Sequence, residues 1–343
     1  MRKVTNHNLY EIKPVKTGKQ LAGQVVGFII STFVVAFFCG VLYHPINDTI
    51  AGARYEPSAE MAEIIDRLNL TDRGLRILNA THPVLQAREE FATSGCNEAH
   101  SSTSTLGCYD SFNIYIYDSN NEELNGLEES TTAHELLHAV WARLAFYDTA
   151  RLEPLLDEFY AAHTEELSTY MSDYSAEQYY TELHSVIGTE FPASELPAEL
   201  RQHYEAFFAD FDKIYGYYHK YEAVIEQINT ELEMLEKDIA TRRAVIAERE
   251  AYYTQESEKL GADIRDFNHR ANTEGAFSDQ VSFNRERNAL LSRQQAINTY
   301  YEETSRLIGE VNQKISEYNS KAIHHNTLIQ SIDSKPQSSD ELE

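Results

Sequence analysis

Residues 131–141 read Thr-Thr-Ala-His134-Glu135-Leu-Leu-His138-Ala-Val-Trp. On an α-helix, side chains four apart share a face, so His134 and His138 can address one metal ion. Glu135, beside the first histidine, is placed to take a proton from a water held by that metal. Imidazole nitrogens suit Zn²⁺, so zinc is the expected cofactor. The plainer reading is coincidence, in a chain with 13 histidines and many glutamates. Two features favour a metal. The flanking residues are apolar, so the helix is expected to be buried, and buried histidines need a partner. The helical run also continues to about Tyr147.

A catalytic zinc takes three protein ligands and leaves one position open. The third is expected from a downstream helix. Residues 152–167 read as helix, a polar, tyrosine-rich break covers 168–175, and 176–191 read as the next helix. That last helix holds Glu182, His184 and Glu190, and Pro192 and Pro197 close the region. Glu158 and His163 are further, weaker options. Upstream, 58–70 has helical spacing with Ser58 as N-cap, and 70–78 reads as a second short helix. Residues 113–117, Asn-Ile-Tyr-Ile-Tyr, alternate as a strand. Such a strand either lies at a sheet edge, where it can align a peptide backbone, or is an ordinary core strand. Both readings stand. Cys96 and Cys108 flank a Ser/Thr-rich loop and can form a disulfide or remain free; three cysteines are too few for a disulfide scaffold.

From about Ala198 the pattern changes. Ile214, Tyr218, Tyr221, Ile225, Ile228, Leu232, Leu235 and Ile239 alternate spacings of four and three, which is a heptad seam. A second seam runs from Ile297 through Tyr301, Thr304, Ile308, Val311, Ile315, Tyr318 and Ala322. Gly275 breaks the pattern between them, and Ser278 can cap the return helix. An antiparallel hairpin centred near Thr273 is expected, with Ile225 close to Tyr318 or Ala322. The rival is two helices pairing with other chains. Residues 334–343 read as a disordered tail.

Residues 21–43 carry no charge and are long enough for a bilayer of about 30 Å. A cleaved signal peptide would be shorter and end in small residues. A single transmembrane helix is therefore expected, following a basic tail at 1–20 that places the N-terminus in the cytoplasm. Residues 44–197 would form an extracytoplasmic catalytic domain, and 198–333 the hairpin. The net charge of −26 argues against nucleic acid as a partner.

The motif lacks the further histidine of the metzincin pattern, since position 144 is leucine and position 145 alanine. Thr181-Glu182-Leu-His184-Ser185 instead resembles the Asn-Glu-x-x-Ser-Asp segment of the gluzincins, the thermolysin-like zinc peptidases. Thr181 replaces the asparagine, Val186 the final aspartate, and the segment lies farther from the first motif. The resemblance implies His134, His138 and Glu182 as zinc ligands, Glu190 being the runner-up, and Glu135 as general base. The oxyanion donor is left among His184, Tyr179 and Tyr180. The layout as a whole also resembles predicted bacterial membrane-anchored metallopeptidases with a C-terminal coiled coil. The expected fold is mainly α with a small β element: a membrane helix, a zincin-like helical domain and an antiparallel coiled-coil hairpin. The expected function is hydrolysis of peptide or protein substrates. The alternative is a membrane-tethered coiled-coil interaction protein, with a partner or a second copy on the coil and a structural or inactive metal site.

Overall fold

A computed structural model describes residue 32 and residues 43–94, 105–172 and 174–335. Helix α1 covers 43–52. It is followed by α2 (Ala59–Leu68), α3 (Asp72–Ala80), β1 (Val84–Gln86) and α4 (Arg88–Phe91). Then come β2 (Gly107–Tyr109), β3 (Ile114–Tyr117), α5 (Leu127–Trp141), α6 (Phe146–Ala162) and α7 (Thr164–Met171). The chain continues through α8 (Tyr179–Glu190), α9 (Ala198–Glu205), α10 (Phe211–Ala271) and α11 (Gln280–Ser331).

The core is built around α5, the metal-motif helix. Its apolar residues point all round, and Leu127, Ala133, Leu136, Leu137, Ala139 and Val140 are all buried. Each large one contributes about 1.5–3 kcal/mol by leaving water. α2, α3, β2, β3, α8 and α10 all pack on α5. Glu129, in its first turn, sits where the helix dipole favours an acid. It accepts a 2.5 Å bond from Arg67 of α2. Local signals fix the smaller helices. Ser58 Oγ accepts from the Met61 amide at 3.2 Å, and Thr71 Oγ1 does the same for Gly74. The Thr71 hydroxyl also donates to the Ala206 carbonyl at 2.8 Å, tying α3 to the end of α9.

The sheet has the order β1-β3-β2, with β1 parallel and β2 antiparallel to β3. The strand expected at 113–117 is thus the central one, with Ile114 and Ile116 fully buried. An edge beside α5 belongs to β2, which begins at Gly107, the last residue of the stretch read as loop. Cys108 on β2 is disulfide-bonded, while Cys96, its expected partner, lies outside the described residues.

α10 and α11 form the antiparallel hairpin. Lys321 bonds Glu231 at 2.5 Å, Lys314 lies 2.7 Å from Asp238, and Arg249 bonds Glu303 at 3.0 Å. This register differs from the expected one: Ile225 packs with Leu328, not with Tyr318 or Ala322. The pivot lies later than Thr273 because Phe277 folds back against Phe267 and Phe283, at ring distances of 5.5 and 5.2 Å. The hairpin also begins later than expected. α9 belongs to the core, with Leu200, Tyr204, Phe207 and Phe208 fully buried. Phe211 and Ile214, at the start of α10, join the same cluster.

The expected fold class and localisation are corrected on one point. Among the described residues no helix is long and apolar enough to cross a membrane. The two helices of sufficient length, α10 and α11, carry acidic and basic side chains throughout. The single transmembrane helix, and with it the single-pass placement with a cytoplasmic N-terminus and an extracytoplasmic domain, is not supported. Residues 21–42, on which that expectation rested, lie outside the described residues except for Thr32. The basic tail at 1–20 and the tail beyond 335 also lie outside them.

Candidate metal centre

α5 and α8 lie unusually close. A Cβ on Gly188 would stand 2.4 Å from Leu137 Cδ1 and 2.6 Å from Tyr204 Cε1, so only glycine allows this approach. The closeness brings Glu182, near the start of α8, against the two histidines of α5. His134 Nε2 and His138 Nε2 are 3.1 Å apart. Glu182 Oε2 is 3.6 Å from the first and 3.5 Å from the second. Ligand atoms on a tetrahedral ion with bonds of about 2.0–2.1 Å stand about 3.3–3.4 Å apart, so the three separations fit a shared cation. Glu182 Oε2 is also buried without a hydrogen-bond partner. A buried carboxylate oxygen left so is costly, and a metal ion would satisfy it. The residues fit a metal.

The second ring nitrogen of His138 is fixed from behind. Its Nδ1 is 2.9 Å from Thr181 Oγ1, which orients the ring so that Nε2 faces Glu182. Thr181 thus holds the His138 ring in place. Burial alone would raise the Glu182 carboxyl. The facing imidazoles outweigh that and hold it well below the usual carboxylate range.

Glu135 is 5% exposed. The ligating atoms of His134, Glu135 and His138 lie within 4.8 Å of one another and could hold a metal ion. Burial is the main cause pushing the Glu135 carboxyl up to about 8; His134 pulls it down, Glu182 pushes it up, and a bond from the Tyr109 amide pulls it down again. That amide belongs to β2. The strand runs hard against α5: a Cβ on Gly107 would stand 2.6 Å from Thr131 Cγ2 and 2.9 Å from Glu135 Cγ. An edge strand therefore passes directly beside the candidate base.

The other expected residues are elsewhere. His184 is fully buried, with its ring 5.1 Å from Trp141 and its Nε2 2.8 Å from His203 Nε2. Burial, and then His203, hold its pKa well below the usual histidine value. It is a core residue whose neighbours include His203, and the charges of His138 and His134 also act on it. Tyr180 donates to Asp157 at 2.9 Å, and Tyr179 packs against Tyr160. Glu158 is exposed, and His163 stacks on Phe159 with Glu195 at 3.8 Å. Glu190 interacts with Tyr218 of α10. Burial pushes its carboxyl up to about 7, against the pull of His134 and Tyr218, with Glu222 adding to the rise.

Tyr174, between α7 and α8, was not among the expected residues; burial first, and then the charges of Glu182 and Glu135, raise its pKa above the usual range. Within a polar break holding another tyrosine, nothing in the sequence distinguishes it. His203 has no motif either; its pairing with His184 arises only when α9 folds back on α8.

Compared with known proteins, the chain matches no family model, no curated protein and no solved structure.

Proposed function

We propose that the protein is a zinc-dependent peptidase of gluzincin-like design. The supporting observation is the set of three mutual separations of 3.1–3.6 Å among His134 Nε2, His138 Nε2 and Glu182 Oε2, with the buried Glu135 beside them. Zinc is the metal of choice for two imidazoles and one carboxylate. When bound, it would lower the pKa of a water towards about 7 and polarise a carbonyl.

The chain supplies the remainder. An extended substrate backbone lies beside β2, the strand that passes Glu135. Glu135 takes the proton of the attacking water and delivers it to the leaving amine. Thr181 keeps His138 in its ligating orientation. A purely structural metal site in a coiled-coil interaction protein would not need a buried glutamate beside its ligands.

The test is metal binding. Purified protein, shown to be folded by circular dichroism, should hold one equivalent of zinc, and His138→Ala should lose it. A folded wild type that binds no zinc ends this reading.

A further inference from the structure

Just past the end of α5, Arg143 joins three elements. Its Nε stands 3.0 and 3.1 Å from the two carboxylate oxygens of Asp48 on α1. Its Nη1 donates to the Tyr109 hydroxyl of β2 at 3.1 Å and to the Ala139 carbonyl of α5 at 2.9 Å. A helix C-terminus leaves carbonyls unsatisfied and favours a cation, so the guanidinium suits its place. The pair is nearly buried, with the Arg143 side chain 14% exposed and that of Asp48 8%.

Asp48 is an unexpected residue to bury. The large apolar side chains of the same helix, Tyr43, Ile46 and Ile50, are exposed, while its one acid is turned inward. Buried ion pairs add little net stability, because desolvation offsets the attraction, so stability alone does not account for this one. What Arg143 holds besides Asp48 is Tyr109. β2 is three residues long and stands at the end of the sheet, paired to β3. Its seating against α5 is set at one end by Gly107, which touches Thr131 and Glu135 so closely that a Cβ would not fit. At the other end the Tyr109 hydroxyl accepts from Arg143 and donates to the Ser111 carbonyl at 2.8 Å. The backbone between them is the part of the strand that meets Glu135, through the Tyr109 amide.

We propose that Arg143 is a positioning residue: held by Asp48, it fixes Tyr109 and thereby the seating of β2 against Glu135. The consequence for catalysis rests on the peptidase reading; the consequence for the strand does not.

Two measurements on the full chain test it. The first is amide hydrogen exchange, read on fragments covering 106–112. Arg143→Met keeps the aliphatic stem and removes both bonds, and Tyr109→Phe removes a single hydroxyl, which keeps the test open should Arg143→Met not fold. Each should speed exchange in 106–112 by about tenfold, with fragments of α8 and the arm unchanged. The double variant should exchange no faster than Arg143→Met, because the two act through one bond. Unchanged exchange in 106–112, or equal acceleration in α8 and the arm, overturns the assignment. The second measures hydrolysis of internally quenched peptides by zinc-loaded protein. For Arg143→Met, kcat per zinc-loaded molecule should fall about tenfold or more with the zinc content unchanged. Wild-type kcat in that variant overturns the positioning role and leaves the peptidase reading intact. Faster exchange confined to 106–112, in a protein whose wild type hydrolyses no peptide, supports the seating of β2 by Arg143 and counts against the peptidase reading.

Discussion

The core around α5 and the arm formed by α10 and α11 are both helical, yet they are held together differently. In the core, several buried or half-buried polar groups have one particular partner: Arg67 on Glu129, Thr181 on His138, His203 on His184. Along the arm, the ion pairs are at the surface and repeat with the helices: Lys321 on Glu231, Lys314 on Asp238, Arg242 on Glu310. Buried polar groups are costly to leave unpaired, whereas exposed pairs are largely replaced by water and screened by salt. The core therefore specifies positions to within tenths of an ångström, and the arm specifies length and register.

Substitutions should separate the two regions sharply. The largest effect is expected at Glu135. Glu135→Gln keeps the shape but cannot accept a proton, so zinc stays bound while peptide hydrolysis falls by roughly 10²–10⁴-fold. Retention of full activity with zinc bound would remove Glu135 from its role and make α5 an ordinary buried helix.

A smaller, pH-dependent effect follows from His203. Burial is the main cause holding its pKa down at about 4, against a usual value of 6.5, and Arg73 and Arg151 add to it. On acidification the unfolded chain takes up a proton near 6.5 that the folded core refuses until about 4. Its contribution to stability is therefore complete above 6.5 and declines as pH falls through that window. Urea midpoints for wild type should drop between pH 6.5 and 5, and His203→Phe should flatten the slope. Parallel slopes would mean that the histidine pair does not titrate as described.

The smallest effect is expected in the arm. Lys321→Met removes the pair with Glu231. It should leave the urea midpoint unchanged in high salt and shift it slightly, if at all, in low salt. A large shift would show that the arm, too, depends on particular pairs.

How far the sequence revealed each region follows from the same contrast. The hairpin was legible because a heptad repeats many times, but its register was not, since a seam matches itself when slid by one heptad. The pivot was set by three phenylalanines, Phe267, Phe277 and Phe283, that no periodicity marks. The histidine–glutamate motif was legible because four-residue spacing on a helix fixes a face, and Glu182 stood on a later helix with a recognisable neighbourhood. β2 was not, because Gly107-Cys108-Tyr109 is too short to alternate. Tyr174 and His203 take their places only through packing between segments distant in sequence. For His184, its place in a motif-like stretch says nothing about which way its ring faces.

The end of α11 returns to the place where the sheet begins. Leu328 is buried with Leu124 and Leu127, Asn121 bonds Ser331 at 3.0 Å, and Ser334 donates to the Thr105 carbonyl at 2.6 Å, across 229 positions of chain. Closing so long a loop by random search is slow, because the entropy must be lost before any contact compensates. Here the intervening chain is a hairpin whose contacts are each nearly local to the turn. It can zip from its tip, and each step shortens the search left for the next. The arm thus works as a folding guide: it delivers the late segment to Thr105 and the start of α5, so that the strand beside Glu135 is held in place at the end of a ladder of short, fast closures.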